Sequence, residues 1–195
     1  MIDFFSVLNR RRSVRAYREA QLQEDALQTI LEAGRTAPSG GNSCSTHMLV
    51  LQNPDILEKL RALVEQEFSK MEVDEQTYPS IRNSVNASKK GGYAFFYHAP
   101  TLIVTANRIG YGNAMADTAC VLENMMLAAT ALGVGSCWIN QLRWLNGNEA
   151  IRAFLSPLGL GADEIVCGGL ALGYPADESV FKAVQRGGNP VTYVR

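Results

Sequence analysis

Histidine is almost missing from this sequence, and with it the usual means of building a metal site or a proton relay. Only His47 and His98 occur among 195 residues, and they stand far apart. The four cysteines, Cys44, Cys120, Cys137 and Cys167, form no C-x-x-C pair. Neither a zinc site nor a disulfide framework has support in that inventory. An excess of one charge is missing too, because 18 basic residues balance 19 acidic ones for a net charge of −1. That balance provides no global field for nucleic acid or an anionic membrane surface. No apolar run approaches the length of a membrane span. The opening Met1–Ile2–Asp3–Phe4–Phe5 lacks the basic n-region and long apolar stretch of a secretory signal. A reduced, cytoplasmic setting is the expectation. Repeats and low-complexity tracts are absent, and 47% hydrophobic against 19% charged residues suits one globular domain over 1–195.

Against this neutral background, Arg10–Arg11–Arg12–Ser13–Val14–Arg15 concentrates four guanidinium groups and a hydroxyl. Guanidinium forks bind phosphate oxygens bidentately, and a serine hydroxyl adds a donor. Two readings stand: a local anion site, or a solvated basic end of the first helix, where cations are mildly favourable. Asp3 is placed to cap that helix, which extends to about Arg10. Tyr17 and Arg18 read as extended. A second helix fits about Gln23 to Thr36 and ends abruptly at Ala37–Pro38–Ser39–Gly40–Gly41–Asn42–Ser43. Such a loop lets backbone donors approach a ligand closely, although a plain solvent loop is the competing reading.

Thr46–Gln52 reads as a strand, and Asn53–Pro54 opens a helix to about Met71. The polar stretch 72–92 predicts a mobile excursion with a helical piece around Tyr78–Lys89. Pro100–Asn107 is apolar enough to be a central strand. Ala114–Leu132 is a helix with apolar residues around nearly its whole circumference. Either a second subunit covers one face or the helix runs through a monomeric core. Asp117 and Asn124 lie on one face of it and need partners. Gly133–Asn140 turns from that helix into a short buried strand. Its glycines end a helix rather than open one, so it is not a dinucleotide fingerprint. A helix at Gly147–Leu155, a glycine-containing strand at Ile165–Leu172 and a terminal strand at Asn189–Val194 complete the expected order.

Four pieces taken together resemble the FMN-dependent nitroreductase family. They are Arg-Arg-Ser-x-Arg at 11–15, Ala-Pro-Ser-Gly-Gly-Asn-Ser at 37–43, Gly-x-Gly-Ser-Cys-Trp-Ile at 133–139 and Leu-Gly-Tyr-Pro at 172–175. A basic residue before the terminal Asn-Pro-Val fits as a fifth. The resemblance implies an α+β, nitroreductase-like fold with a central mixed β-sheet flanked by helices. It also implies an intertwined homodimer with FMN at the interface. By that likeness Arg11, Arg12 and Ser13 hold the FMN phosphate and ribityl chain, and Arg186 returns to the same phosphate. Arg15 lies near the N1/O2 edge of the ring. Pro38, Ser39, Gly40 and Asn42 come from the partner subunit. Trp138, Ile139, Asn140 and Gln141 pass over the other ring face and offer a backbone N–H towards N5. The chain departs from the family pattern at Cys44–Ser45–Thr46, where relatives commonly carry Gln-Pro-Trp. It departs again at Asn140–Gln141, where Gly or Glu-Gly is common.

A flavin supplies its own hydride and electron chemistry, so the missing Ser/His/Asp and Cys/His constellations are compatible with this reading. The leading expectation is an oxidoreductase that takes electrons from NADH or NADPH and reduces small acceptors, nitroaromatics and quinones among them. Two alternatives share the fold. One is a specialised flavin reaction, such as reductive dehalogenation or heterocycle oxidation, and the other is flavin binding without turnover.

Overall fold

The computed structural model describes residues 3–183 and 187–195. Four strands form its sheet: β1 (His47–Leu51), β2 (Thr101–Arg108), β3 (Gly135–Ile139) and β4 (Glu164–Gly173), in the spatial order β1-β2-β4-β3. Every ladder among them is antiparallel. The expected mixed character is limited to one isolated parallel bridge, Ser13 with Ser136. The alternation of side chains along β2 divides the core. Leu102, Val104 and Ala106 enter one hydrophobic cluster, while Ile103 enters a second on the opposite face. Seven of the eight β2 residues are buried, which requires helices on both faces of the sheet.

The helices divide accordingly. Phe4–Arg10 forms α1, Glu24–Arg35 forms α2 and Ala114–Ala131 forms α5. Leu27, Ile30 and Leu31 of α2 meet Val121, Leu122 and Met125 of α5 on the Ile103 face. The other face is covered by α3 (Pro54–Ser69), α4 (Pro79–Lys90), α6 (Gln141–Trp144) and α7 (Glu149–Leu155). The architecture is α+β. Local chemistry sets several of the helix starts. Asp3 accepts from the Ser6 N–H at 3.1 Å, and Asn53 caps α3 with Pro54 in its first turn. The expected terminal strand is not formed, since residues 187–195 are exposed and unpaired in any ladder. Tyr17 makes only an isolated bridge with Pro175. The helical piece expected inside 72–92 is α4.

The 37–43 loop is anchored by a buried carboxylate. Asp117, 4% exposed, sits in the first turn of α5 and accepts from the Gly40 N–H at 2.9 Å. It also accepts from the Tyr111 hydroxyl at 2.9 Å and the Ser43 hydroxyl at 3.2 Å. A Cβ at Gly40 would collide with the Asn113 amide and the Tyr111 hydroxyl, so the approach needs glycine. Asn42 (φ 54°) and Cys44 (φ 45°) hold left-handed conformations that non-glycine residues adopt at a cost. The second polar side chain on this face is also satisfied, because Asn124 donates to the Ala33 carbonyl at 3.0 Å.

The Gly40 N–H is the largest influence holding the Asp117 carboxyl below the usual carboxylate range, with the two hydroxyls acting in the same sense against desolvation. A depressed carboxyl stabilises the fold fully above its unfolded value of about 4, and that contribution is lost as pH falls through the folded value. In amide exchange, protection across residues 39–44 should therefore fall on acidification below about pH 4. In Asp117→Asn it should already be reduced at neutral pH and change less with acid. Equal protection of the loop in both proteins at neutral pH would remove Asp117 as its anchor.

Candidate functional site

The basic stretch leaves α1 and runs alongside β3, the sheet edge that pairs only with β4. An edge strand has backbone groups to spare, and the Ser136 carbonyl accepts from the Val14 N–H at 2.9 Å. This fixes residues 13–14 beside the strand and distributes the arginines. Arg10 donates through Nε to the Phe181 carbonyl at 2.9 Å and is a structural fastener. Arg11 reaches Glu123 of α5 at 3.3 Å. Arg12 is half-buried and Ser13 exposed. Arg15 donates through Nε to the Tyr97 hydroxyl at 3.3 Å, and its guanidinium carbon stands 5.8 Å from that ring's centroid. The hydrogen bond to Tyr97 is the main influence raising the Arg15 pKa, so this group is a permanent cation.

Arg15 borders a cavity of about 490 Å³ between α4, α6 and the end of β3. Trp138, Ile139, Asn140 and Gln141 line it as well. The structure thus gathers five of the sequence-predicted residues around one space. The turn after β3 is held by its own carboxamides. The Trp138 indole N–H donates to Asn140 Oδ1 at 3.1 Å, and the Asn140 N–H donates to Gln141 Oε1 at 3.1 Å. Burial pushes the Cys137 thiol and the Tyr93 phenol up, so both are neutral at physiological pH. Tyr17, whose hydroxyl donates to the Val14 carbonyl at 2.7 Å, is raised by the same cause. Among the described residues lining the cavity there is no carboxylate, and Arg15 is the only charged group. The donor set suits a flat, oxygen-rich, anionic molecule.

Sequence reasoning missed four aromatic members of this wall, Tyr78, Tyr93, Tyr97 and Trp144. The available signal was the aromatic run from Tyr93 to Tyr97. Phe95 and Phe96 are buried in the core at 1% and 3% exposure, whereas Tyr97 (φ 58°) turns back to the cavity in a left-handed conformation.

The other predicted half of the site lies elsewhere in the chain. Pro38 and Ser39 line a separate cleft of about 150 Å³ with Cys44 and Asp117, and Gly40 and Asn42 belong to the same loop. That loop leads into β1, at the opposite sheet edge from β3. Three strand spacings, about 14 Å, separate the two edges. One chain therefore does not bring Pro38, Ser39, Gly40 and Asn42 to Arg15 and Trp138. Arg186 lies outside the described residues. Among the described residues no cluster suits a metal ion, and no helix is long and apolar enough to cross a membrane.

A nitroreductase with bound FMN from Bacteroides fragilis is 36% identical, with a TM-score of 0.87 over 100% of both chains. A nitroreductase with bound FMN from Desulfitobacterium hafniense is 25% identical, with a TM-score of 0.82 and the same full coverage. An Archaeoglobus fulgidus protein, provisionally named NADH dehydrogenase/NAD(P)H nitroreductase, is 27% identical over 97% of this chain and 95% of its own. The profile of the nitroreductase family matches residues 8–174, a span that holds the arginine segment, the anchored loop and the β3 turn together. This chain belongs to the nitroreductase family.

Proposed function

We propose that this chain is an FMN-dependent oxidoreductase that accepts electrons from NADH or NADPH and passes them to small acceptors such as nitroaromatics and quinones. The observation that carries the reading is the aromatic-walled cavity in which Arg15 is the only charged lining group among the described residues. FMN, when bound, would supply the hydride and electron chemistry of both half-reactions. The protein's residues would bind and tune it. Arg11, Arg12 and Ser13 would hold the phosphate and ribityl chain by charge-assisted hydrogen bonds. Arg15 would offset the negative charge that the ring gains on reduction, and the neutral tyrosines and thiol nearby would leave that cation uncompensated by any carboxylate. The β3–α6 turn would present backbone and carboxamide donors. Donor and acceptor would use the same open cavity in succession.

The functional unit we infer is a homodimer, in which Pro38, Ser39, Gly40 and Asn42 of one copy complete the cavity of the other. Three observations support this. In a single chain the loop and the cavity sit at opposite sheet edges. The α5 stripe containing Cys120 and Leu127 is only half-buried. Phe4 and Phe5 of α1, and Leu132 at the end of α5, leave 60%, 69% and 42% of their surface exposed, apolar surface that a partner subunit would cover.

Three measurements test the reading. Purified protein reconstituted with FMN should bleach in anaerobic titration with NADH or NADPH and recover its colour on adding a quinone. A protein that binds no FMN, or whose flavin neither nicotinamide reduces, would reject the function. Arg11→Ala should weaken FMN binding by about 1.5–3 kcal/mol, the range for a hydrogen bond to a charged group. An unchanged dissociation constant would take Arg11 out of the phosphate clamp. Arg15→Ala should lower the flavin midpoint potential more than it weakens binding, and an unaltered potential would show that Arg15 does not face the ring.

A further inference from the structure

Helix α4 forms one wall of the cavity, and a chain of hydrogen bonds with a defined direction ties it to the opposite side. The Asn140 N–H can only donate, so it fixes the Gln141 carboxamide with Oε1 toward itself, at 3.1 Å. The Gln141 end that meets the Tyr93 hydroxyl at 2.9 Å is therefore the NH2 group, which donates. On the far side, the Ser84 hydroxyl donates to the Ser80 carbonyl at 3.0 Å. The Tyr93 O–H is left one acceptor, Ser84 Oγ at 2.8 Å. Each proton from the β3–α6 turn to the middle of α4 is thus assigned. Burial keeps the Tyr93 phenol protonated, so the chain persists through the neutral range.

Tyr93 is itself held at both backbone groups. Its N–H donates to Glu65 Oε1 at 2.8 Å, and its carbonyl accepts from Arg61 at 3.2 Å. Arg61 is in turn held by Glu58 and Glu65. The two sides meet again in the cavity lining through Tyr78, which precedes α4, and Trp144 of α6, edge to face with ring centroids 6.1 Å apart. Elsewhere α4 rests mainly on α3, burying Ser84, Val85 and Ser88. Only three of its twelve residues are buried, so little apolar burial opposes its outward movement.

We infer that Tyr93 is a positioning residue that clasps α4 to the β3–α6 turn and so sets the width of ring the cavity admits. This rests on the reading of the cavity as the acceptor site. A closed clasp favours narrow planar acceptors; an open one lets α4 yield to broader fused rings. Tyr93→Phe keeps the packing ring and removes only the hydroxyl that joins the two sides.

The test uses the FMN-loaded protein and two acceptors, p-benzoquinone with one ring and β-lapachone with three, alongside hydrogen exchange across residues 79–90. In Tyr93→Phe, exchange of α4 should accelerate by about tenfold. The kcat/KM ratio of the broad to the narrow acceptor should rise by about three- to tenfold, the equivalent of one ordinary hydrogen bond. Ser84→Ala cuts the same chain at its α4 end and should move both readouts the same way, which keeps the test open should Tyr93→Phe not fold. Unchanged exchange of α4 in these variants overturns the clasp. Faster exchange with an unaltered acceptor ratio overturns its role in selection. Failure of the unsubstituted protein to oxidise NAD(P)H at all would count against the proposed function instead, since the exchange measurement needs no turnover.

Discussion

A sheet buried on both faces constrains everything else in this molecule. The strand β2 sends Leu102, Val104 and Ala106 into one core and Ile103 into another, and β4 does the same with Ala171 against Leu170 and Leu172. Two cores need two layers of helices, so the sheet faces are unavailable for chemistry. Function is left to the edges and to the segments that cross them. The two edges are unlike. Beside β3 run residues 13–14, with the cavity at the strand's end, whereas β1 is entered from the loop anchored by Asp117. The separation of the predicted site into two parts therefore follows from burial, and the proposed pairing of two copies is the arrangement that reunites them.

Carboxylates are placed with the same economy. Asp117 and Glu164 hold backbone partners away from the cavity, and the Glu58–Arg61–Glu65 group holds the backbone of Tyr93 from behind the cavity wall without lining it. His47, which might have been read as a ligand, is paired with Glu164 at 3.0 Å. Among the described residues, what faces the cavity is a single guanidinium among phenols, carboxamides and a buried thiol. In such surroundings one cation acts with little competition from compensating charges. The basic hexamer is thus not a uniform patch. Arg10 is committed to the Phe181 carbonyl and Arg11 lies against α5, while only Arg15 borders the cavity.

Features governed by neighbours in sequence were the legible ones. Asp3 and Asn53 cap the helices they precede, because capping is settled within three residues. The apolar runs at 46–52, 100–107 and 165–172 became β1, β2 and β4 within a residue or two. Arg15 and Trp138–Gln141 were recognisable as a set through family resemblance, and the fold brings them around one cavity. Features that depend on distant partners were not legible. Strand direction depends on which edges meet, so a mixed sheet was expected where the ladders are antiparallel. Residues 189–194 have strand-like composition, yet a strand exists only where another edge accepts its hydrogen bonds, and these residues pair with none of the described strands. Tyr93 and Tyr97 were passed over because their role comes from left-handed backbone at Tyr97 and from contacts with α4 and Arg15.

The carboxamides at Asn140 and Gln141 acquire a physical meaning in this setting. A glycine in that turn would leave the backbone free to adapt, and it would offer nothing to Trp138 or Tyr93. Here Asn140 receives the Trp138 indole N–H, while Gln141 takes the Asn140 N–H and passes a donor to Tyr93. The two carboxamides convert a flexible turn into the fixed end of a chain that reaches α4. They also satisfy groups that would otherwise face the cavity unpaired, which is costly for half-buried amides. Rigidity at the turn and restraint of α4 are therefore one feature. Under the proposed clasp, Asn140 and Gln141 give the cavity a defined width.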